Sequence, residues 1–113
     1  MEANEENKDI IKVALNSNIE KTVYYCQKLL TKKNLKEINL CSIGQAYDTL
    51  RNVVNELKKR IPGLYIFGKK ETIFPKNNRR YLIKNDIKII LGKPEKNPLG
   101  YYPIFNELYE SNK

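Results

Sequence analysis

The chain contains no histidine and no tryptophan, and only two of its 113 residues are cysteine. Without histidine it lacks the usual base of a catalytic triad and the commonest metal ligand. Cys26 and Cys41 have no Cys-x-x-Cys spacing and lie in apolar segments, which is typical of buried thiols rather than of a disulfide or a zinc site. We therefore expect no metal, no cofactor and no ordinary hydrolytic chemistry.

Long apolar runs are also lacking, since the longest are only about three residues, as at Ile89–Leu91, against the ~20 needed to span a bilayer. The first nine residues are acidic and polar, unlike a signal peptide. We therefore expect a protein of the nucleus and cytoplasm. A composition of 41% hydrophobic and 30% charged residues suits one small domain.

Positive charge is concentrated in the middle of the chain, whose total formal charge is +8. Residues 10–93 carry eighteen Lys and Arg and six acids, a net +12, whereas residues 1–9 carry −3 and residues 94–113 carry −1. Such a distribution indicates a polyanionic partner, either nucleic acid or an anionic membrane surface. It also suggests three parts: an acidic leader, a basic domain over 10–93 and a C-terminal tail over 94–113.

Two strand-then-helix units follow the leader. Alternation over Ile11–Leu15 predicts a strand, and a possible capping box of Ser17 and Glu20 precedes a helical stripe over 18–32. A second strand is predicted over Leu35–Cys41, with Ser42 as a cap for a helix over 46–61 that stops at a Pro-Gly pair.

Two β-rich segments, Leu64–Phe74 and Tyr81–Leu91, flank a Pro- and Asn-containing turn and predict a long hairpin with a basic tip. The predicted fold is α+β: a two-layer βαβαββ sandwich with a four-stranded mixed sheet and two helices on one face. The tail over 94–113 either docks on its own domain or binds a partner.

Cations cluster in the hairpin region over 69–84, which holds six Lys and Arg and only one acid, Glu71. A basic two-stranded ribbon can lie beside phosphates and reach into a minor groove. The loops before both helices bring free backbone amides to the same edge of the sheet, where anions can bind. Tyr24, Tyr25, Tyr65 and Tyr81 can stack on unpaired bases if they are exposed, or pack against the core if they are not.

The segment over 36–46, KEINLCSIGQA, and the segment over 53–63, VVNELKKRIPG, together resemble the Alba superfamily. They are similar to its strand, its Gly-x-Ala turn and its basic-ended second helix, and the resemblance covers about residues 10–93. Membership implies a homodimer, or a heterodimer with another Alba-type protein, that binds DNA and RNA with little sequence preference. The implied contacts are Asn16, Ser17, Asn18, Lys21, Ser42, Gly44, Gln45, Lys69, Lys70, Lys76, Asn77, Asn78, Arg79 and Arg80.

Two departures from archaeal members are visible. Asn16 and Ser17 stand where those members carry paired lysines, one of them an acetylation target, so acetylation control at that place is not supported. Ile43-Gly44-Gln45 replaces an Arg-Gly-Arg sequence, as in eukaryotic members. The Asn- and Lys-rich composition is similar to that of apicomplexan members, which implies roles in chromatin and translational regulation.

Two other functions compete with this interpretation. The Cys26–Leu30 segment resembles a subunit of ribonuclease P and MRP, which implies a scaffold role in an RNA-processing particle. A lysine of depressed pKa could instead act as an abasic-site lyase through a Schiff base. No lysine is singled out for that chemistry by the sequence, so we expect a binding protein and no catalytic residues.

Overall fold

A computed structural model describes residues 10–74, 76 and 80–104. The elements, in chain order, are β1 (Ile10–Lys12), α1 (Ile19–Thr31), β2 (Glu37–Ile43), a 3₁₀ turn (Gly44–Ala46), α2 (Tyr47–Arg60), β3 (Leu64–Ile73), β4 (Leu82–Leu91) and β5 (Tyr102–Pro103). In the described ranges, no helix has the length and apolar character required to cross a membrane.

The sheet has the order β1-β2-β4-β3-β5. β1 runs parallel to β2, and the other neighbouring pairs are antiparallel. The predicted α+β class, mixed sheet and hairpin are confirmed, but the sheet has five strands rather than four. The fifth is a two-residue strand that pairs with Phe67 and Gly68 at the edge of β3.

One hydrophobic core lies between the sheet and both helices. On the sheet side, Ile38 and Leu40 of β2 stand opposite Ile89 and Ile87 of β4, and all four are almost fully buried. The helices contribute residues at helical spacing, namely Val23, Cys26, Leu29 and Leu30 from α1 and Leu50, Val53, Val54 and Leu57 from α2. Both helices therefore pack on the same face, as the right-handed crossover rule predicts.

The opposite face of the sheet is partly covered by the C-terminal segment. The ring of Tyr101 lies between two lysines of that face, with Lys69 Nζ 5.0 Å and Lys88 Nζ 5.1 Å from its centroid. Lys88 also donates to the Glu37 carboxylate at 2.7 Å and to the Asn39 side-chain oxygen at 3.0 Å. This cluster neutralises one of the cations in the middle of the sheet.

Gly68 allows the end of the described tail to reach the core. The backbone N–H of Ile104 donates to the Ile66 carbonyl at 3.1 Å, and the Ile104 side chain packs against the core cluster. A Cβ on Gly68 would overlap Ile104 Cδ1 and lie 3.3 Å from Ile87 Cδ1. Any larger residue at this position would therefore have to displace the Ile104 side chain.

We expect Gly68→Ala to displace Ile104 and to lower the free energy of unfolding by about 1–3 kcal/mol, the usual cost of overpacking. Urea denaturation measures this change. In an Ile104→Ala background the same substitution should cost less, because the overlapping methyl group is gone. Strictly additive effects of the two substitutions would contradict this packing account.

Candidate nucleic-acid interface

Three predicted binding segments lie at one end of the sheet. β1 and β2 are parallel, so their C-terminal ends lead into the loops before α1 and α2 at the same edge. Ile43, the last residue of β2, stands opposite Lys84 of β4, and Lys84 stands opposite Glu71 of β3. The two strands of the β3–β4 hairpin therefore extend past the same edge as far as the pair Ile73 and Leu82, next to both loops.

The loop before α1 is held in place by its own polar side chains. Asn18, not Ser17, caps the helix, because its Oδ1 accepts from the Lys21 backbone N–H at 2.9 Å. Ser17 Oγ instead accepts from the Ala14 N–H at 2.8 Å. The predicted capping box at Ser17 is therefore wrong. Asn16 and Lys21 are exposed beside the cap.

The loop before α2 is a 3₁₀ turn that begins at Gly44, whose φ of +63° favours glycine. Ser42 does not cap it: this residue belongs to β2, is only 2% exposed, and its Oγ has no described hydrogen-bond partner. The predicted cap at Ser42 is wrong, and its buried side chain cannot reach a ligand from this conformation. Gly44 is half-buried and Gln45 is exposed, so these two remain available at the edge of the sheet.

The hairpin cations fall into two groups. Lys69 lies over the Tyr101 ring, and Lys84 Nζ is 3.7 Å from the Asp86 carboxylate, so both have intramolecular partners. Lys70, Lys76 and Arg80 are exposed, and the structure shows no ion pair between any of them and a described residue. The other predicted contacts of the hairpin, Asn77, Asn78 and Arg79, lie outside the described residues.

An apolar groove of about 820 Å³ lies between the two loops and the hairpin residues Ile73, Leu82 and Lys84. Its apolar lining includes Ile10, Val13, Leu15, Ile43, Ile73 and Leu82, and Lys12 and Lys84 also line it. Leu15 is 59% and Ile43 46% exposed. The groove was not predicted from the sequence, although two of its apolar residues, Leu15 at the end of the first alternation and Ile43 directly after Ser42, were signals of it.

Neither thiol is suited to nucleophilic chemistry. Burial raises the pKa of Cys26 to about 12, and burial also raises the pKa of Cys41 above its ordinary value. Thiols with raised pKa values stay protonated at neutral pH and react slowly. In the part of the chain that the structure describes, no group of three or more Cys, Asp or Glu side chains is placed to hold a metal ion.

Comparison with known proteins gives a structural match only. No protein-family model and no curated protein matches the chain. Among solved structures, Alba from Thermoplasma volcanium is similar with a TM-score of 0.59 and 16% sequence identity, over 72% of this chain and 98% of that chain. The chain therefore has a two-layer α+β fold of the Alba type, as its sequence predicted.

Gly44 provides a test of the loop before α2. A Cβ at Gly44 has room, since the nearest atom is Leu82 Cδ2 at 3.8 Å, so Gly44→Ala should cost only the backbone strain of positive φ, roughly 1–2 kcal/mol. Gly44→Asn should cost less, because Asn tolerates this region better than Ala. The midpoints of urea denaturation measure both. Equal destabilisation by the two substitutions would contradict the strain account.

Proposed function

We propose that this protein binds DNA and RNA with little sequence preference, through contacts with phosphate groups at the end of the sheet that carries the hairpin turn. The observation that supports this most strongly is the position of Lys70, Lys76 and Arg80, which are exposed at the same end as the two loops. The net +12 over residues 10–93 supplies the long-range attraction for a polyanion.

In this proposal, the exposed hairpin cations bind phosphates from both sides of a groove, and the exposed amides and polar side chains of the loops bind further phosphates. Contacts to phosphate position a protein on nucleic acid but carry no direct sequence information. About six such contacts would give a log–log salt dependence near −5 on duplex DNA. The protein acts as a binding protein rather than as an enzyme.

We further propose the roles that the resemblance implies for a eukaryotic Alba protein: chromatin organisation and translational regulation, in the nucleus and the cytoplasm. Ile43-Gly44-Gln45 lacks the two arginines of the archaeal sequence, so the hairpin carries most of the phosphate binding. Purification of the tagged protein tests these roles. A diverse set of RNA and chromatin supports them, whereas one stoichiometric partner and one structured RNA would favour a subunit of a ribonuclease P/MRP-type particle.

A dimer is the second part of the proposal, and the apolar groove supports it. Leu15 and Ile43 leave a large part of their side chains in water, and they line the groove together with the hairpin residues Ile73 and Leu82. Contiguous exposed apolar surface on a small protein marks an interaction site. We propose that a second copy, or another Alba-type chain, covers this groove and brings two hairpins into one binding unit.

The hairpin is tested by the triple substitution of Lys70, Lys76 and Arg80 by Ala. We expect weaker binding to unrelated sequences by similar factors, because phosphate contacts are lost. The slope of log affinity against log salt should fall in magnitude by about 0.9 for each contact, ~2.7 in all, on duplex DNA. Fluorescence anisotropy over a salt series measures both quantities.

Its matched control removes the same charge elsewhere. Lys59, Lys93 and Lys96 are exposed. Lys59 lies in the last turn of α2, and Lys93 and Lys96 follow the C-terminal end of β4, so all three are away from the hairpin turn. Their replacement by Ala should change the affinity much less than the hairpin substitutions do. Equal losses for the two triple variants would show that only overall charge matters and would refute the hairpin interface.

The dimer is tested by Ile43→Lys, which places a charge in the groove. We expect the unchanged protein to sediment as a dimer and the variant as a monomer, because a buried unpaired charge is costly at an interface. Leu99→Lys is the control, since Leu99 is 98% exposed and does not line the groove. Sedimentation equilibrium measures the masses, and a wild-type monomer at all concentrations would refute the proposal.

A further inference from the structure

The outer face of α1 carries a stripe of exposed basic and aromatic side chains. Only its first residue, Lys21, belongs to the proposed nucleic-acid interface. We name the whole stripe the α1 stripe, and its residues are Lys21, Tyr24, Tyr25, Lys28 and Lys32. The spacing of i, i+3, i+4, i+7 and i+11 places them within about 100° of the helix circumference. They form one continuous surface strip.

The two aromatic rings of this strip contribute little to the core. Tyr24 is 58% and Tyr25 48% exposed, and the core contacts of α1 are made by other residues. Tyrosine is also a poorer helix former than lysine or glutamate. The Lys28 ammonium lies 5.8 Å from the centroid of the Tyr24 ring, so cation and ring are presented together.

The charge of the strip is of one sign. Lys21, Lys28 and Lys32 are exposed, and none of the residues between them on this face is acidic. The nearest acid in the helix, Glu20, lies to one side and accepts two hydrogen bonds from Arg60 of α2, at 3.1 and 3.2 Å. These hydrogen bonds also raise the pKa of Arg60. The stripe is therefore complementary to a polyanion.

The stripe is continuous with the candidate nucleic-acid interface. Lys21 is in the first turn of α1, directly after the Asn18 cap, at the end of the sheet that carries the hairpin turn. From Lys21 to Lys32, the C-cap residue directly after α1, the chain rises about 16 Å along the helix axis. At about 3.4 Å for each stacked nucleotide this length matches roughly five nucleotides of one strand.

We propose that the α1 stripe is a binding site for single-stranded nucleic acid, in which unpaired bases stack on Tyr24 and Tyr25 and the three lysines bind the flanking phosphates. Bases of a duplex have no free face for these rings, whereas every unpaired base does. The inference rests on the proposed function, because the hairpin and loops are what deliver the strand to the helix. It adds a distinction between single strands and duplexes.

The first experiment compares Tyr24→Ala/Tyr25→Ala with Tyr24→Phe/Tyr25→Phe, using a labelled oligouridylate and a labelled DNA duplex of equal length. We expect the alanine variant to lose about 30-fold or more in affinity for the single strand, with its duplex affinity nearly unchanged. The phenylalanine variant keeps the rings and should bind as the wild type does. Because the rings are exposed, thermal unfolding should be similar in all three proteins.

A second experiment uses the absence of tryptophan from the chain. Tyr24→Trp introduces a single tryptophan in the stripe, and Tyr102→Trp introduces one at another exposed position, on β5. Saturation with oligouridylate should quench the fluorescence of the first protein and leave that of the second nearly unchanged. Equal quenching, or none at position 24, would overturn the stacking site.

The outcomes separate this inference from the proposal on which it rests. If the wild type binds neither probe, the proposed function fails. If the wild type binds both and the alanine variant binds equally well, the stripe alone is refuted. Unchanged affinity together with a changed sedimentation mass would assign the stripe to a protein contact instead, which also overturns the inference.

Discussion

The antiparallel pairing of β2 with β4 determines the positions of the functional parts of this molecule. It runs from Glu37 opposite Ile90 to Ile43 opposite Lys84. In this register Ile38, Leu40, Ile87 and Ile89 face the helices, and a slip of one residue would turn all of them to the other face. The same register places the described end of the β3–β4 hairpin, at Ile73 and Leu82, beside the loops that follow β1 and β2. One strand pairing therefore both closes the hydrophobic core and positions the candidate interface.

The elements whose apolar pattern recurs over many residues could be predicted from the sequence. The apolar stripes of both helices and the two long β-rich segments each contain many residues that agree, so single errors do not change the prediction. The predicted helix caps were wrong because each cap depends on a single side chain. Ser17 and Asn18 are adjacent polar residues, and only the path of the backbone decides which of them accepts a hydrogen bond from the Lys21 N–H. β5 has two residues, one of them proline, and so gives no periodic signal.

The candidate site likewise has features that the sequence predicts and features that only the tertiary structure shows. Charge distribution predicted which segments carry cations, but exposure depends on tertiary contacts between distant parts of the chain. Ser42 is buried because β2 extends two residues further than its alternation indicated. Lys69 lies against Tyr101, thirty-two residues away, through a tail whose path no local pattern specifies. The exposed faces of Tyr24 and Tyr25 likewise follow from the packing of α1, which decides the side of the helix that meets the sheet.

The short fifth strand has a consequence for the solubility of the protein. β5 pairs with β3 only at Phe67 and Gly68, and on this outer edge of β3, away from β4, the structure shows no described strand beside Lys69 to Ile73. An open strand edge is a template on which another chain can add and extend a sheet. Here the unpaired stretch begins with two lysines and a glutamate, and β5 itself ends in proline, which lacks an amide hydrogen. Charged side chains and proline at this open strand edge hinder the addition of further strands. The lysines that attract a polyanion therefore also disfavour fibrillar aggregation.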